Sequence, residues 1–343
     1  MAYTTIKKPS DYFNTKLYTG NGTDNHAITG VGFQPDAVWI KDRDDASYNQ
    51  ITDAVRGVTK TIYTNASDAE GTNTNYVKSF DTDGFTVGVN NANNQSGANN
   101  VSWNWLGANG TASNTDGSIT STVSANTTSG FSIVKFTANG SNNGTIGHGL
   151  GSTPAIVIYK RLDGTGSWYV LYTFVDGSQD YLILDSTSAK ADLASSTYGT
   201  ATSSTISNIG FGNTNSMIAY CFAEKKGFSK FGSYTGNGST DGTFIYTGFK
   251  PAWVITKRTD SPSDWVILDN KRNSFNVVDK KLESSNSDAD TTQTACDFLS
   301  NGIKLKDTTT SYLGTNISGG TYIYMCFASE PLVGTNNTPA TAR

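Results

Sequence analysis

One pattern occurs three times along this 343-residue chain, and it restricts the fold more tightly than composition does. The copies are LYTGNGTDNHAITGVGFQPDAVWIK, KFTANGSNNGTIGHGLGSTPAIVIYK and SYTGNGSTDGTFIYTGFKPAWVITK. Each opens on an aromatic residue (Tyr18, Phe136, Tyr234), and an Asn-Gly pair follows at 21–22, 139–140 or 237–238. Each then reaches Pro35, Pro154 or Pro251 and, six residues later, Lys41, Lys160 or Lys257. Two more landmarks recur downstream in the same order: TDGFTVG (82–88), SNIGFGN (207–213) and SNGIKLK (300–306), then VSWNWLG, MIAYCFAE and TYIYMCFAS. A chain built this way consists of one folding unit repeated, not of unrelated domains.

Each landmark suits a strand or a hairpin. AVWIK, AIVIYK and AWVITK are β-branched and aromatic, as a largely buried strand requires. The preceding proline has no N–H to leave unpaired, so it belongs at a strand's start. Asn-Gly pairs accept the positive φ of tight turns. The run GSITSTVSANTTSGFSIVKF reads as two strands about a Thr/Ser/Gly turn, and helical periodicity is confined to short pieces at 187–194 and 271–282. The expectation is therefore an all-β chain of three tandem, related antiparallel β-sandwiches of jelly-roll or lectin-like type, with extended termini. Gly-rich polar stretches place the units at 1–116, 117–226 and 227–333, with a C-terminal arm at 334–343. Residues 117–130 can be read either as the end of the first unit or as the start of the second.

Composition matters where it excludes functions. Only 36% of residues are hydrophobic and 16% charged, but aromatics reach 11%, enough large side chains to fill cores in small β units. The net charge is −4 and the 25 basic residues are scattered, so no cationic face for a phosphate backbone is expected. No apolar run is long enough to span a bilayer, and the first twenty residues lack the apolar segment of a secretory signal. Cys221, Cys296 and Cys326 form no CxxC pair, and two sit in matching apolar runs, which reads as reduced, inert cysteines in a reducing compartment. The sequons at Asn21, Asn139 and Asn237 are what an Asn/Thr-rich chain produces by chance.

Catalytic chemistry finds little to work with. His26 and His148 occupy non-equivalent places in the repeat, and no nucleophile elbow accompanies either, so both read as loop histidines. The acidic groupings Asp42/Asp44/Asp45, Asp81/Asp83 and Asp288/Asp290 lie in polar loop sequence, where Asp stabilises turns. DTDG (81–84) begins like a calcium loop but lacks the later glutamate. The Gly-rich strings open no helix, so they are turns and not phosphate cradles. Trp39, Trp103, Trp105 and Trp253 sit in apolar strands and read as core. Trp168 and Trp265 follow the polar loops GTGS and SPSD and are the best candidates for surface ligand contacts. No catalytic residue, metal site or cofactor is expected.

The strings YTGNG (18–22), ITGVGFQPDAVWIKDR (28–43), DAVRG (53–57), DTDGFTVG (81–88), YTGFKPAWVITKRTD (246–260), DFLSNGIKL (297–305) and GGTYIYMCFASEP (319–331) resemble a repeated β-domain of tailed phages and marine viral sequences. The resemblance spans roughly 12–331 and departs from the family pattern at Ile303 and Cys326, where phenylalanine and a small residue are usual. It carries no catalytic or ligand residues. It implies a non-enzymatic virion structural protein, as capsid decoration, head fibre or tail appendage, assembled in the host cytoplasm. The implied partners are other virion proteins, with homo-oligomerisation and without nucleic acid or membrane insertion. The alternative is a lectin-like adhesin that binds host surface polysaccharide.

Overall fold

The three lysine strands occupy the same place in three copies of one sheet. A computed structural model describes residues 3–140, 144–193, 200–207, 214–311, 313–334 and 339–341. In it Ala37–Asp42, Ile156–Arg161 and Phe249–Arg258 each pair with the last long strand of their repeat, Asn99–Trp105, Ser216–Phe222 or Thr321–Pro331. The register is identical: Lys41 faces Val101, Lys160 faces Ile218 and Lys257 faces Ile323. That last strand also pairs with the repeat's first strand, Phe13–Thr19, Phe131–Thr137 or Ser229–Thr235. On its other side the lysine strand pairs with Gln50–Asp53, Tyr169–Tyr172 or Trp265–Asp269.

The chain is all-β with antiparallel sheets, and each repeat is a sandwich. A large sheet of six or eight strands faces a smaller group: His26–Thr29, Gly84–Val87 and Val77–Asp81 in the first repeat, Thr145–Gly147 with Thr205–Ser207 in the second. In the third repeat the eight-stranded sheet bends until Phe244–Tyr246 lies at one edge and Ser229–Thr235 at the other, so both layers belong to one nearly closed sheet. The landmark at 207–213 contributes Ser207 to a strand, and its remainder lies outside the described residues. Pairing of Ala112–Asn114 with Ser121–Asn126 assigns 112–130 to the second repeat, so the sheets divide between Trp105 and Ala112, slightly before the expected boundary.

Alternation along the lysine strand explains its unbroken apolar character. Val38 and Ile40, Val157 and Tyr159, and Val254 point into the repeat's own sandwich core. Trp39, Ile156, Ile158, Trp253 and Ile255 point the other way, into a single core that all three large sheets share. Trp103, Trp105, Tyr220, Phe222, Met325 and Phe327 join it from the neighbouring strands. Both faces are buried, so no polar face interrupts the pattern. The repeats are thus wrapped round a common axis, not strung out. Two voids of about 20 Å3, walled by these side chains, lie along it.

The terminal segments pack back onto the sheets. The Tyr3 hydroxyl donates to the Gly248 carbonyl at 2.7 Å and Thr4 to that of Lys226, while the Lys226 ammonium lies 4.6 Å from the Tyr3 ring centre. Ile6 enters the shared core. The N-terminal segment therefore straps the first repeat to the third. In the C-terminal tail the described residues turn back: Val333 bridges to Pro339, and Ala340 N–H donates to the Leu332 carbonyl.

Candidate functional site

A buried lysine next to a backbone carbonyl is a structural joint, and here three such joints close a ring. Lys41 Nζ donates to the carbonyls of Ser47, in its own loop, and Ser287, in the third repeat, at 2.9 and 2.6 Å. Lys160 repeats this with Gly166 and with Ser67 of the first repeat. Lys257 does so with Ser263 and with Thr187 of the second, at 2.7 and 2.9 Å. The same direction is followed by backbone bonds: Ser47, Gly166 and Ser263 N–H groups donate to the Ser287, Ser67 and Thr187 carbonyls. Returning bonds run from the amides of Asp290, Glu70 and Lys190 to the carbonyls of Arg43, Leu162 and Thr259. First reaches to third, third to second, second to first. Burial pushes all three ammonium groups down to about 8, since only neutral carbonyls replace their water.

Trp168 and Trp265 belong to these joints, and this corrects the expectation that they meet ligands at the surface. They are 1% and 3% exposed. The Trp168 indole N–H donates to the Tyr63 carbonyl of the first repeat at 2.8 Å, and Trp265 donates to Ile183 of the second at 2.9 Å. Their flanking loops are polar because the backbone of those loops meets the neighbouring repeat. At the third joint the equivalent residue is Asn49, whose side-chain amide donates to the Glu283 carbonyl at 3.0 Å.

Ion pairs follow the same cycle. Asp53 and Arg56 pair in the first repeat and Asp269 and Arg272 in the third, all with fully buried side chains. Tyr220 of the second repeat donates to Asp53 at 2.7 Å, and Trp103 of the first donates to Asp269 at 3.3 Å. The second repeat carries Tyr172 and Val175 at the corresponding places, and Met325 stands in the third where Trp103 and Tyr220 stand in the other two, so the third set of positions is uncharged. Farther out the second repeat inverts its charges. Lys60 pairs with Glu70 in the first repeat, whereas Asp180 pairs with Lys190 in the second. Asp176, Asp180 and Asp192 converge, but the Lys190 ammonium bonds all three at 2.8–3.0 Å and supplies the positive charge there.

The remaining candidates also have structural partners. Asp42 accepts from the amides of Asp44 and Asp45, Asp44 from Asn99 and Asp83 from Gly30 and Gly32. Asp290 bridges Arg43 and Arg272. Asp81 accepts from Thr86, and Asp288 is exposed. Buried His148 is held between Leu150 N–H and the Thr202 carbonyl, and burial lowers its pKa. His26 pairs with the Asn94 side chain. All three cysteines are buried free thiols, and burial raises each pKa. Two repeated signals escaped the sequence reading. Asp44, Asp163 and Asp260 stand three residues after each lysine and accept the first amide of the long strand, Asn99, Ser216 or Thr321. The segments at 67–70, 187–190 and 287–290 (SDAE, TSAK, SDAD) supply the joint carbonyls.

The joint between first and third repeats departs from the other two. Where Asn49 stands in place of tryptophan, the preceding residue, Tyr48, is 50% exposed and stacks on Tyr63 at 4.7 Å. The first repeat also carries the helical turn Asn91–Asn94, capped by the Asn90 side chain. Between these elements and the loop around Asn286 and Ser287 lies an open groove of about 910 Å3. Its described lining includes Tyr48, Val89, Asn65, Asn90, Asn91 and Ser287 and holds no charged side chain. Glu283, whose carbonyl accepts from the Asn49 side chain, is buried with neither carboxylate oxygen hydrogen-bonded among the described residues. Burial, then the charges of Asp264 and Asp288, push it up to about 7.

The chain belongs to the family described as Domain of unknown function (DUF7483), whose model matches residues 8–331 and so takes in all three repeats together. No curated protein and no solved structure matches it.

Proposed function

We propose that this chain is a non-enzymatic structural component of a bacteriophage particle, a capsid decoration, head fibre or tail appendage. It acts by docking on other virion proteins, as a homo-oligomer, and by presenting loops outward. The observation that carries the reading is the ring itself. Its buried lysines, indoles and ion pairs are all spent on holding one repeat against the next, as a display module needs and a reaction centre does not. The resemblance of YTGNG, DAVRG and GGTYIYMCFASEP to phage β-domains supplies the setting. Mass spectrometry of purified particles should find the chain in stoichiometric copy number; its absence from the particles rejects this reading.

The groove favours a second reading, an adhesin that binds host surface polysaccharide, because it combines a half-exposed aromatic ring with amide and hydroxyl groups. The two readings are compatible in one virion protein. Binding of the purified chain to host cells, competed by extracted host polysaccharide, tests the second.

A further inference from the structure

In a molecule built from three equivalent joints, the joint that breaks the pattern is where a separate purpose shows. At two joints an indole fills the space between the lysine loop and the neighbouring sheet, and the residue before it is Ser167 or Asp264. At the joint of the first and third repeats the indole is absent and Tyr48 is turned outward. Its ring is held in place from behind: it stacks on Tyr63 at 27°, and the Tyr63 hydroxyl bonds that of Tyr76 at 2.9 Å. An aromatic face fixed in this way loses little conformational entropy when a ligand covers it. Beside it, the helical turn with Asn90 and Asn91 forms one wall, and Asn286 and Ser287 of the third repeat form the other.

We propose that this groove binds a neutral oligosaccharide, with Tyr48 as the stacking platform. This rests on the adhesin reading above and assigns it to one place on the molecule. Amide groups both donate and accept, and hydroxyls do the same, which matches a sugar's hydroxyls without requiring a charge. The C–H face of a pyranose covers a tyrosine ring as an apolar surface does, while the rim stays wet. The groove volume of about 910 Å3 accommodates several sugar units. An anionic polymer is disfavoured, because no lysine or arginine is among the described lining residues and Asp288 lies next to Ser287.

The test is an array of immobilised neutral and anionic oligosaccharides probed with the full chain and three variants. Wild type should be retained on neutral glycans. Tyr48→Ala should weaken that binding at least tenfold and Asn91→Ala roughly three- to tenfold, in keeping with one stacked ring and one hydrogen bond. Tyr246→Ala, which alters an exposed tyrosine elsewhere, should bind as wild type does. Unchanged circular dichroism and melting temperature confirm that the variants fold. Retention of no glycan by wild type overturns the adhesin reading and the groove together. Undiminished binding by Tyr48→Ala leaves an adhesin but overturns the groove, and retention on anionic glycans alone overturns the ligand class.

Discussion

Replacing one joint lysine with methionine, Lys257→Met, separates the contribution of the joint from that of the core, because methionine preserves much of the buried stem. The substitution removes two charge-assisted bonds, to Ser263 and Thr187, while the Thr187 carbonyl keeps the Ser263 amide as a donor. Such bonds contribute about 3–6 kcal/mol together. Against this, lowering the pKa from 10.5 to about 8 means the fold spends about 3 kcal/mol to keep the ammonium charged at neutral pH. With the poorer solvation of the Ser263 carbonyl added, the variant should be about 1–4 kcal/mol less stable at pH 7. The pH dependence is the sharper part. The folded pKa lies below the unfolded one, so the unfolded chain binds more protons between pH 8 and 10.5, and this lysine's contribution rises with pH. The cost of Lys257→Met should therefore grow by about 2 kcal/mol between pH 7 and pH 9.5. Urea denaturation of both proteins across that range measures it. Other groups titrate alike in both and cancel in the difference. A cost below about 1 kcal/mol, or one independent of pH, refutes the reasoning.

Three further outcomes follow from the buried groups. Glu283 has its folded pKa raised from 4.5 to about 7, so its contribution is fully present below pH 4.5 and lost as pH rises through 7. Between pH 5 and pH 8 the loss should be roughly 2–3 kcal/mol by denaturant titration, and Glu283→Gln should abolish that slope. Arg56→Met strands buried Asp53 and should cost about 3–5 kcal/mol; adding Asp53→Asn should cost much less than the sum, which a double-mutant cycle reads directly. Trp168→Ala should lower stability by about 3–5 kcal/mol while leaving glycan or particle binding per folded molecule unchanged, as a melting curve beside a binding titration would reveal.

Periodicity and repetition make the sheets legible in the sequence itself. The lysines, the prolines and the aromatic runs recur at fixed spacing, and in the structure Lys41, Lys160 and Lys257 stand one residue before the ends of three equivalent strands. What could not be read was the direction each strand's second face points. A strand buried on both faces looks the same whether its outer face meets a loop or a neighbouring repeat, so three tandem sandwiches and one ring share a pattern. The joint acceptors are backbone carbonyls of Ser67, Thr187 and Ser287, and a carbonyl leaves no residue signature. Trp168 and Trp265 read as exposed because GTGS and SPSD are polar loops with Thr165 and Pro262 at the surface, yet the indoles that follow turn into the neighbouring repeat. The substitution behind the groove was legible, since Asn49, Trp168 and Trp265 all stand eight residues after the repeated lysine, but that these positions lie between repeats was not.

The account turns on the repeats closing about one shared core, and differential scanning calorimetry asks this most directly. A single cooperative unit of 343 residues should unfold with an enthalpy of about 240 kcal/mol near 60 °C, and the van't Hoff value should equal the calorimetric one. Three resolved transitions, or a van't Hoff enthalpy near one third of the calorimetric value, would show repeats that unfold independently and contradict the closed ring.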